Sequence, residues 1–161
     1  MPEMTREEAI RKIGELIGQV PVAMLTTTSS RGWLRSRPMI AQSLPFDGDV
    51  WFLTSRTAAK AGDVRDRRQV NVSYASPELD CYVSIAGIAT LVDDAERARE
   101  LWNSSYEPWF PKGLTDPDIQ LIRVQAEEAE YWDPATKKMV RVSELLKPKP
   151  VFRDVEPGAG W

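Results

Sequence analysis

No histidine occurs among the 161 residues, and there is a single cysteine, Cys81. The missing imidazole removes serine and cysteine triads, histidine general bases, haem held by a proximal histidine and the usual zinc sites. One thiol cannot form an internal disulfide, and the N-terminal Met-Pro-Glu-Met-Thr-Arg-Glu-Glu lacks the basic and apolar regions of a signal peptide, so a cytoplasmic protein is expected. No apolar run approaches the ~20 residues that cross a bilayer. Positive charge is not in surplus either. With 21 basic against 24 acidic residues the net charge is -3, which argues against general attraction to nucleic acid or to anionic membranes and favours small-molecule partners. Catalysis, if present, must come from carboxylates, Lys, Tyr or a cofactor. Redox chemistry on a bound organic cofactor suits such a chain, because the cofactor carries the reaction and the protein supplies binding and orientation.

What is present fits one globular domain with a real core, since 42% of residues are hydrophobic and 28% charged. Thr5 and Glu8 form a capping box, and Ile10, Ile13, Leu16 and Ile17 recur at helical spacing, so a helix is expected over 5–17, packed as a lid on a sheet. Short β-rich runs follow at 22–28, 34–40, 50–54, 70–74 and 82–92, separated by turn-forming residues at 29–32, 45–49 and 76–80. The reading is an antiparallel meander, mainly β, with short helices at 58–67 and 93–102 and closing strands at 119–125 and 129–132. Residues 103–118 carry Pro108, Pro111 and Pro117 with Tyr106, Trp109 and Phe110, and read as a binding loop. After residue 146 the chain, with Pro148, Pro150, Pro157 and Gly158, has no periodic apolar pattern. The expected division is a domain over 1–146 and a tail over 147–161 that wraps a neighbour or stays mobile.

The strongest functional signal lies between Arg35 and Lys60. It reads Arg-Ser-Arg-Pro-Met-Ile-Ala-Gln, a Pro/Asp/Gly turn, then Trp-Phe-Leu-Thr-Ser-Arg-Thr-Ala-Ala-Lys. Basic residues open one extended run, hydroxyls close the next, and a lysine follows one turn into a helix. Cations and hydroxyls so placed can converge on one small anion, which is how a phosphate is held.

Taken in order, Arg37-Pro38-Met39, Trp51-Phe52-Leu53-Thr54-Ser55 with Lys60 five residues later, Val70-Asn71-Val72-Ser73-Tyr74 and Tyr82-Val83-Ser84-Ile85-Ala86-Gly87 resemble the flavin-binding split-barrel superfamily typified by pyridoxamine 5'-phosphate oxidase. Leu101-Trp102-Asn103, Trp109-Phe110-Pro111 and Ala129-Glu130-Tyr131-Trp132-Asp133 are similar to its bacterial general stress protein branch, and the similarity runs over 5–133. The resemblance implies a six-stranded antiparallel split β-barrel with flanking helices, assembled as a homodimer with FMN in two clefts between subunits. By position it makes Arg37 and Lys60 the FMN phosphate ligands, helped by the hydroxyls of Ser55 and Thr57. Met39, Ile40, Leu53 and Thr54 would offer backbone groups and apolar surface to the isoalloxazine, with Pro38 among the cofactor-binding residues and Gln42 near the pyrimidine edge, where the oxidase branch commonly has lysine. Trp109 and Phe110 would stack on or cover the flavin.

Each of these residues also has a plainer reading. Arg37 is then a surface strand arginine, Lys60 a solvated helix lysine, Met39, Ile40 and Leu53 alternating core residues, and Trp109 and Phe110 a plug at the barrel end or dimer seam. Trp33, Trp51, Trp102 and Trp132 read as core or interface anchors. Arg65-Asp66-Arg67-Arg68 is a solvated helix end and Asp93-Asp94 a cap, so no metal is assigned. Without a histidine for the substrate the chain is not expected to be a true pyridoxamine 5'-phosphate oxidase, and a haem-processing split barrel is disfavoured. Three functions remain: an FMN-dependent oxidoreductase acting on an unidentified small molecule, a non-catalytic flavin-binding stress protein, and a reductase using deazaflavin F420, whose polyanionic tail calls for more Lys and Arg than this groove offers. FAD stays open beside FMN.

Overall fold

The structure is a computed structural model that describes residues 3–143, 145 and 151–155. In chain order the elements are β1 (Glu3–Met4), α1 (Arg6–Ile17), β2 (Val22–Thr28), β3 (Leu34–Ile40), β4 (Asp49–Ser55), α2 (Ala59–Asp66), β5 (Gln69–Ser76), β6 (Cys81–Val92), α3 (Ala95–Leu101), β7 (Ile119–Asp133), β8 (Lys138–Val142) and β9 (Val151–Val155). Seven strands, β2 to β8, make the body of one antiparallel sheet, to which β1 and β9 add at one end. This is the expected helix-flanked antiparallel β architecture, with seven strands in its body where six were expected. None of the described helices is long and apolar enough to cross a membrane.

The long strand β7 organises the sheet. Along one edge it pairs with β6; along the other, Ile119–Gln125 pairs with β4 and Ala129–Asp133 with β8. From β6 the sheet continues through β5 and β2 to β3. The two arms therefore end in β3 and β4, and no pairing joins those strands among the described residues, so the sheet is not closed.

Burial follows from the pattern of each strand. On β2, Ala23, Leu25 and Thr27 turn inward while Val22, Met24 and Thr26 turn out. β4 is buried on both faces, as its unbroken Val50-Trp51-Phe52-Leu53 run requires. Val50 and Phe52 join the main core with Leu25, Val72, Ile85 and Val124; Trp51 and Leu53 face a second cluster with Leu101, Tyr106, Phe110 and Leu121. Helix α1 closes the main core through Ala9, Ile13 and Ile17. Its start is fixed by the capping box: Thr5 Oγ1 accepts from the Glu8 amide at 3.0 Å, and Glu8 Oε2 accepts from the Thr5 amide at 3.2 Å. Under this helix Cys81 is buried, its thiol donating to the Leu16 carbonyl at 3.5 Å, and burial pushes its pKa up.

Three expectations change. The strands read at 119–125 and 129–132 are one strand, β7, because the interruption that suggested a break is a bulge: Ala86 pairs with Glu128 and Gly87 with Ala126, leaving exposed Glu127 as the extra residue. The turn after Asp133 and strand β8 carry no sequence signal strong enough to have been read as a hairpin. The tail placed after residue 146 is partly structured, since Val151–Val155 pairs with β8 and β1. Pro148, Pro150, Pro157 and Gly158 lie outside the described residues.

The bulge depends on Gly87. A Cβ there would meet the Gln125 carbonyl oxygen inside contact distance and Val124 Cγ1 at 2.9 Å. Gly87→Ala should therefore lower stability by about 1–3 kcal/mol in chemical denaturation, with an unchanged far-UV spectrum for the folded fraction.

Candidate functional site

Between the unpaired edges of β3 and β4 lies a cavity of about 320 Å³, at the small end of ligand pockets in general. Pro38, Met39 and Ile40 line it from β3, and Leu53, Thr54 and Ser55 from β4. Lys60, in the first turn of α2, closes one end, and Tyr106, Trp109 and Phe110 close another side with Val22. A strand with only one neighbour has backbone N–H and C=O groups on its free edge that need partners. The slot thus combines apolar walls with two rows of backbone donors and acceptors, a surface suited to a flat heterocycle with polar edges.

The segment read as a binding loop is ordered. It forms two short 3-10 turns, Ser104–Tyr106 and Gly113–Thr115. Tyr106 stacks on Trp102 with ring centroids 5.7 Å apart, and Phe110 packs tilted on the same indole at 6.3 Å. Burial pushes the Tyr106 phenol up to about 12, so it stays protonated at neutral pH. Arg56 staples the far end: its side chain donates to the Pro117 carbonyl, to Gln120 Oε1 and to Asp93 Oδ1, at 2.9, 2.9 and 2.7 Å. With both ends fixed, Trp109 stands over the slot and remains 68% exposed.

The Lys60 end carries the charge. Among the described residues Lys60 has no hydrogen bond or ion pair, and it is partly buried. Desolvation, and then the nearby Arg37 guanidinium, hold its pKa below the ordinary 10.5. A desolvated ammonium beside a second cation is a group in want of an anion. Arg37 itself points inward from β3, where its Nη1 donates to Thr27 Oγ1 at 2.6 Å and its Nη2 lies 3.8 Å from Asp63 Oδ2. Arg35 is committed elsewhere, its Nη2 contacting both carboxylate oxygens of Asp63 at 2.9 Å.

Of the residues singled out in the sequence, Pro38, Met39, Ile40, Leu53, Thr54, Ser55, Lys60 and Trp109 line one slot, and Arg37 stands beside its cationic end. Ser55 donates its hydroxyl proton to Asp118, and Thr57 is exposed beside it, with the two hydroxyl oxygens 3.0 Å apart. Thr57 is not part of the wall. Neither is Gln42, whose amide nitrogen donates to the Leu44 carbonyl at 2.8 Å while Oε1 accepts from the Trp51 amide at 2.7 Å. Gln42 thus takes the place of a neighbouring strand along part of the free β4 edge. Tyr106 and Phe110, named with the expected binding loop, also line the slot. Val22, Asp63, Thr27 and Asp118 were not singled out: Val22 looks like a core residue in sequence, and the other three matter only through contacts distant along the chain.

Open sheet, slot and cation-flanked end mark a protein of the split-barrel class. The chain belongs to the pyridoxamine 5'-phosphate oxidase like family, whose model matches residues 8–150. It is 26% identical over 139 residues to protein bli-3 of Neurospora crassa, a match covering 80% of this chain and 66% of that protein, just under two thirds of its length. To general stress protein 26 of Bacillus subtilis it is 26% identical over 141 residues, covering 85% of this chain and 97% of the relative. The crystal structure of the general stress FMN/FAD binding protein from Xanthomonas citri superposes with a TM-score of 0.67 at 29% identity, covering 78% of this chain and 89% of that one.

Because Gln42 satisfies the buried Trp51 amide, Gln42→Leu should destabilise the fold by about 1–3 kcal/mol, the cost of an unpaired buried donor. Urea denaturation checks this, and a stability equal to that of the parent would show the contact to be dispensable.

Proposed function

We propose that this protein binds FMN in the slot and works as a flavin-dependent oxidoreductase on a small molecule, as a general stress protein-like member of its family. The observation that carries the reading is Lys60, desolvated and without a partner among the described residues, beside Arg37 at one end of an apolar slot edged by free backbone groups. Two cations complement one phosphate dianion; Asp63 is held closely by Arg35 at 2.9 Å and lies farther from Arg37, at 3.8 Å. This favours a single terminal phosphate over the longer polyanion of F420 and over FAD. A bound flavin supplies hydride chemistry. The chain's part is to hold the ring between β3 and β4, anchor the phosphate, and cover the slot with Trp109. No residue of the slot wall offers an acid or base near neutral pH: the Tyr106 phenol is held protonated, and Lys60 is taken by the anion. With no histidine in the chain, neither pyridoxamine 5'-phosphate nor haem is assigned as a ligand.

A second copy completes the reading. Val22 and Met24 are 49% and 38% exposed on the outer face of β2, opposite Ile40 and Pro38 of β3, and Trp33 and Leu34 are bare at the same hairpin. This apolar face runs into the slot, which Val22, Pro38 and Ile40 also line. A homodimer through it would cover the patch and wall the slot. A single thiol that cannot form an internal disulfide suits the cytoplasm.

Three outcomes are expected. Arg37→Ala combined with Lys60→Ala should weaken FMN by at least ~3 kcal/mol, roughly a hundredfold, in flavin fluorescence titration, with riboflavin much less affected; equal loss for both ligands would misplace the phosphate. In the parent protein, FMN affinity should rise from about pH 5 to about pH 7 as the phosphate becomes a dianion. It should fall again as pH passes the lowered pKa of Lys60, because the neutral amine must then take up a proton to bind. Light scattering of the FMN-loaded protein should give twice the chain mass of 18.2 kDa; a stable monomer of that mass would remove the dimer.

A further inference from the structure

Behind the cationic end of the slot, within 3.8 Å of the Arg37 guanidinium, stands a carboxylate that a phosphate site would not be expected to tolerate. Asp63 lies three residues after Lys60 on α2, on the same helix face, and is buried, with 7% of its surface exposed. Its charge weakens the field that Arg37 and Lys60 present to an anion, so its place there calls for another role. Thr27, completely buried on β2, supplies the link. Its hydroxyl donates to Asp63 Oδ2 at 2.8 Å, which turns its lone pairs toward Arg37, and Arg37 Nη1 donates to that oxygen at 2.6 Å. Without the carboxylate, the Thr27 hydroxyl is free to rotate and Arg37 loses a defined acceptor. No other hydrogen bond fixes the Arg37 guanidinium among the described residues, and most of its N–H groups are left for a ligand.

Resting on the phosphate reading above, we propose that Asp63, acting through Thr27, is a positioning residue that orients Arg37 and so makes the slot select a phosphorylated ligand over its unphosphorylated counterpart. The Arg35–Asp63 contact holds the carboxylate in place from the solvent side, since Arg35 is half exposed and Asp63 is not. The effect belongs to geometry and opposes simple charge. Removing a negative group near an anion should tighten binding if only net charge matters; here it loosens it.

The test is the ratio of riboflavin to FMN dissociation constants, measured by fluorescence quenching for the parent and for Thr27→Val, Asp63→Asn, Arg37→Ala and Lys60→Ala. Thr27→Val keeps shape and burial and removes only the hydroxyl. Both Thr27→Val and Asp63→Asn should lower the ratio about tenfold, with riboflavin affinity held within about twofold. A merely structural role would weaken both flavins together or neither. If FMN binds Asp63→Asn as tightly as the parent, or more tightly, the proposal is overturned; should that variant fail to fold, Thr27→Val decides alone by the same criterion. An unchanged ratio in Arg37→Ala and Lys60→Ala would remove the phosphate from this corner, and the positioning role with it. A ratio that collapses in those two but survives in Thr27→Val and Asp63→Asn overturns the positioning role and leaves the phosphate where it is.

Discussion

The slot depends on one missing set of hydrogen bonds, those that would join β3 to β4. Both strands are fully paired on one side, β3 by β2 and β4 by β7, and neither is paired to the other. Unpaired edges are a liability unless covered. Here the cover is divided. Gln42 satisfies the Trp51 amide on the β4 edge, and the stretch beside Leu53, Thr54 and Ser55 is left open. A ligand that reads backbone groups and fills an apolar gap would be the missing strand in chemical terms, so the opening in the sheet and the slot are the same feature.

The second cluster explains why the opening has a fixed shape. Trp51 and Leu53 turn away from the main core to meet Leu101, Tyr106 and Phe110, so the strand that forms one wall also anchors the loop that forms the roof. Arg97 and Arg123 lie over the Trp51 ring at 4.9 and 5.9 Å, adding cation–π contacts at the same point. Change at Trp51 would therefore be felt on both sides of the slot.

Much of this was legible in the sequence because it is local. The Thr5/Glu8 box, the alternation of β2 and the unbroken apolar run of β4 each follow from a few neighbouring residues, and the structure shows helix and strands at those places. The slot residues at 38–40 and 53–55 were reached through the order of short motifs, which local spacing preserves. What failed was non-local. Nothing near Glu127 tells that Gly87, 40 residues earlier, lets β7 bulge without ending, and nothing near Asp63 announces Thr27 or Arg35 across the fold. Gln42 shows the limit most directly: its type and position suited a ligand contact, yet its amide nitrogen turns to the Leu44 carbonyl two residues on and its oxygen is taken by the Trp51 amide, which comes close only when β4 folds.

Cys81 sits at the first residue of β6, its thiol under the last turn of α1 and its pKa raised by burial. A raised pKa makes a poor nucleophile, and cover by a helix keeps reagents away. An alkylating reagent can reach this sulfur only while α1 is lifted from the sheet. The sole thiol of the chain is therefore a built-in counter of that opening: its modification rate reports how often the lid helix leaves the core, separately from global unfolding.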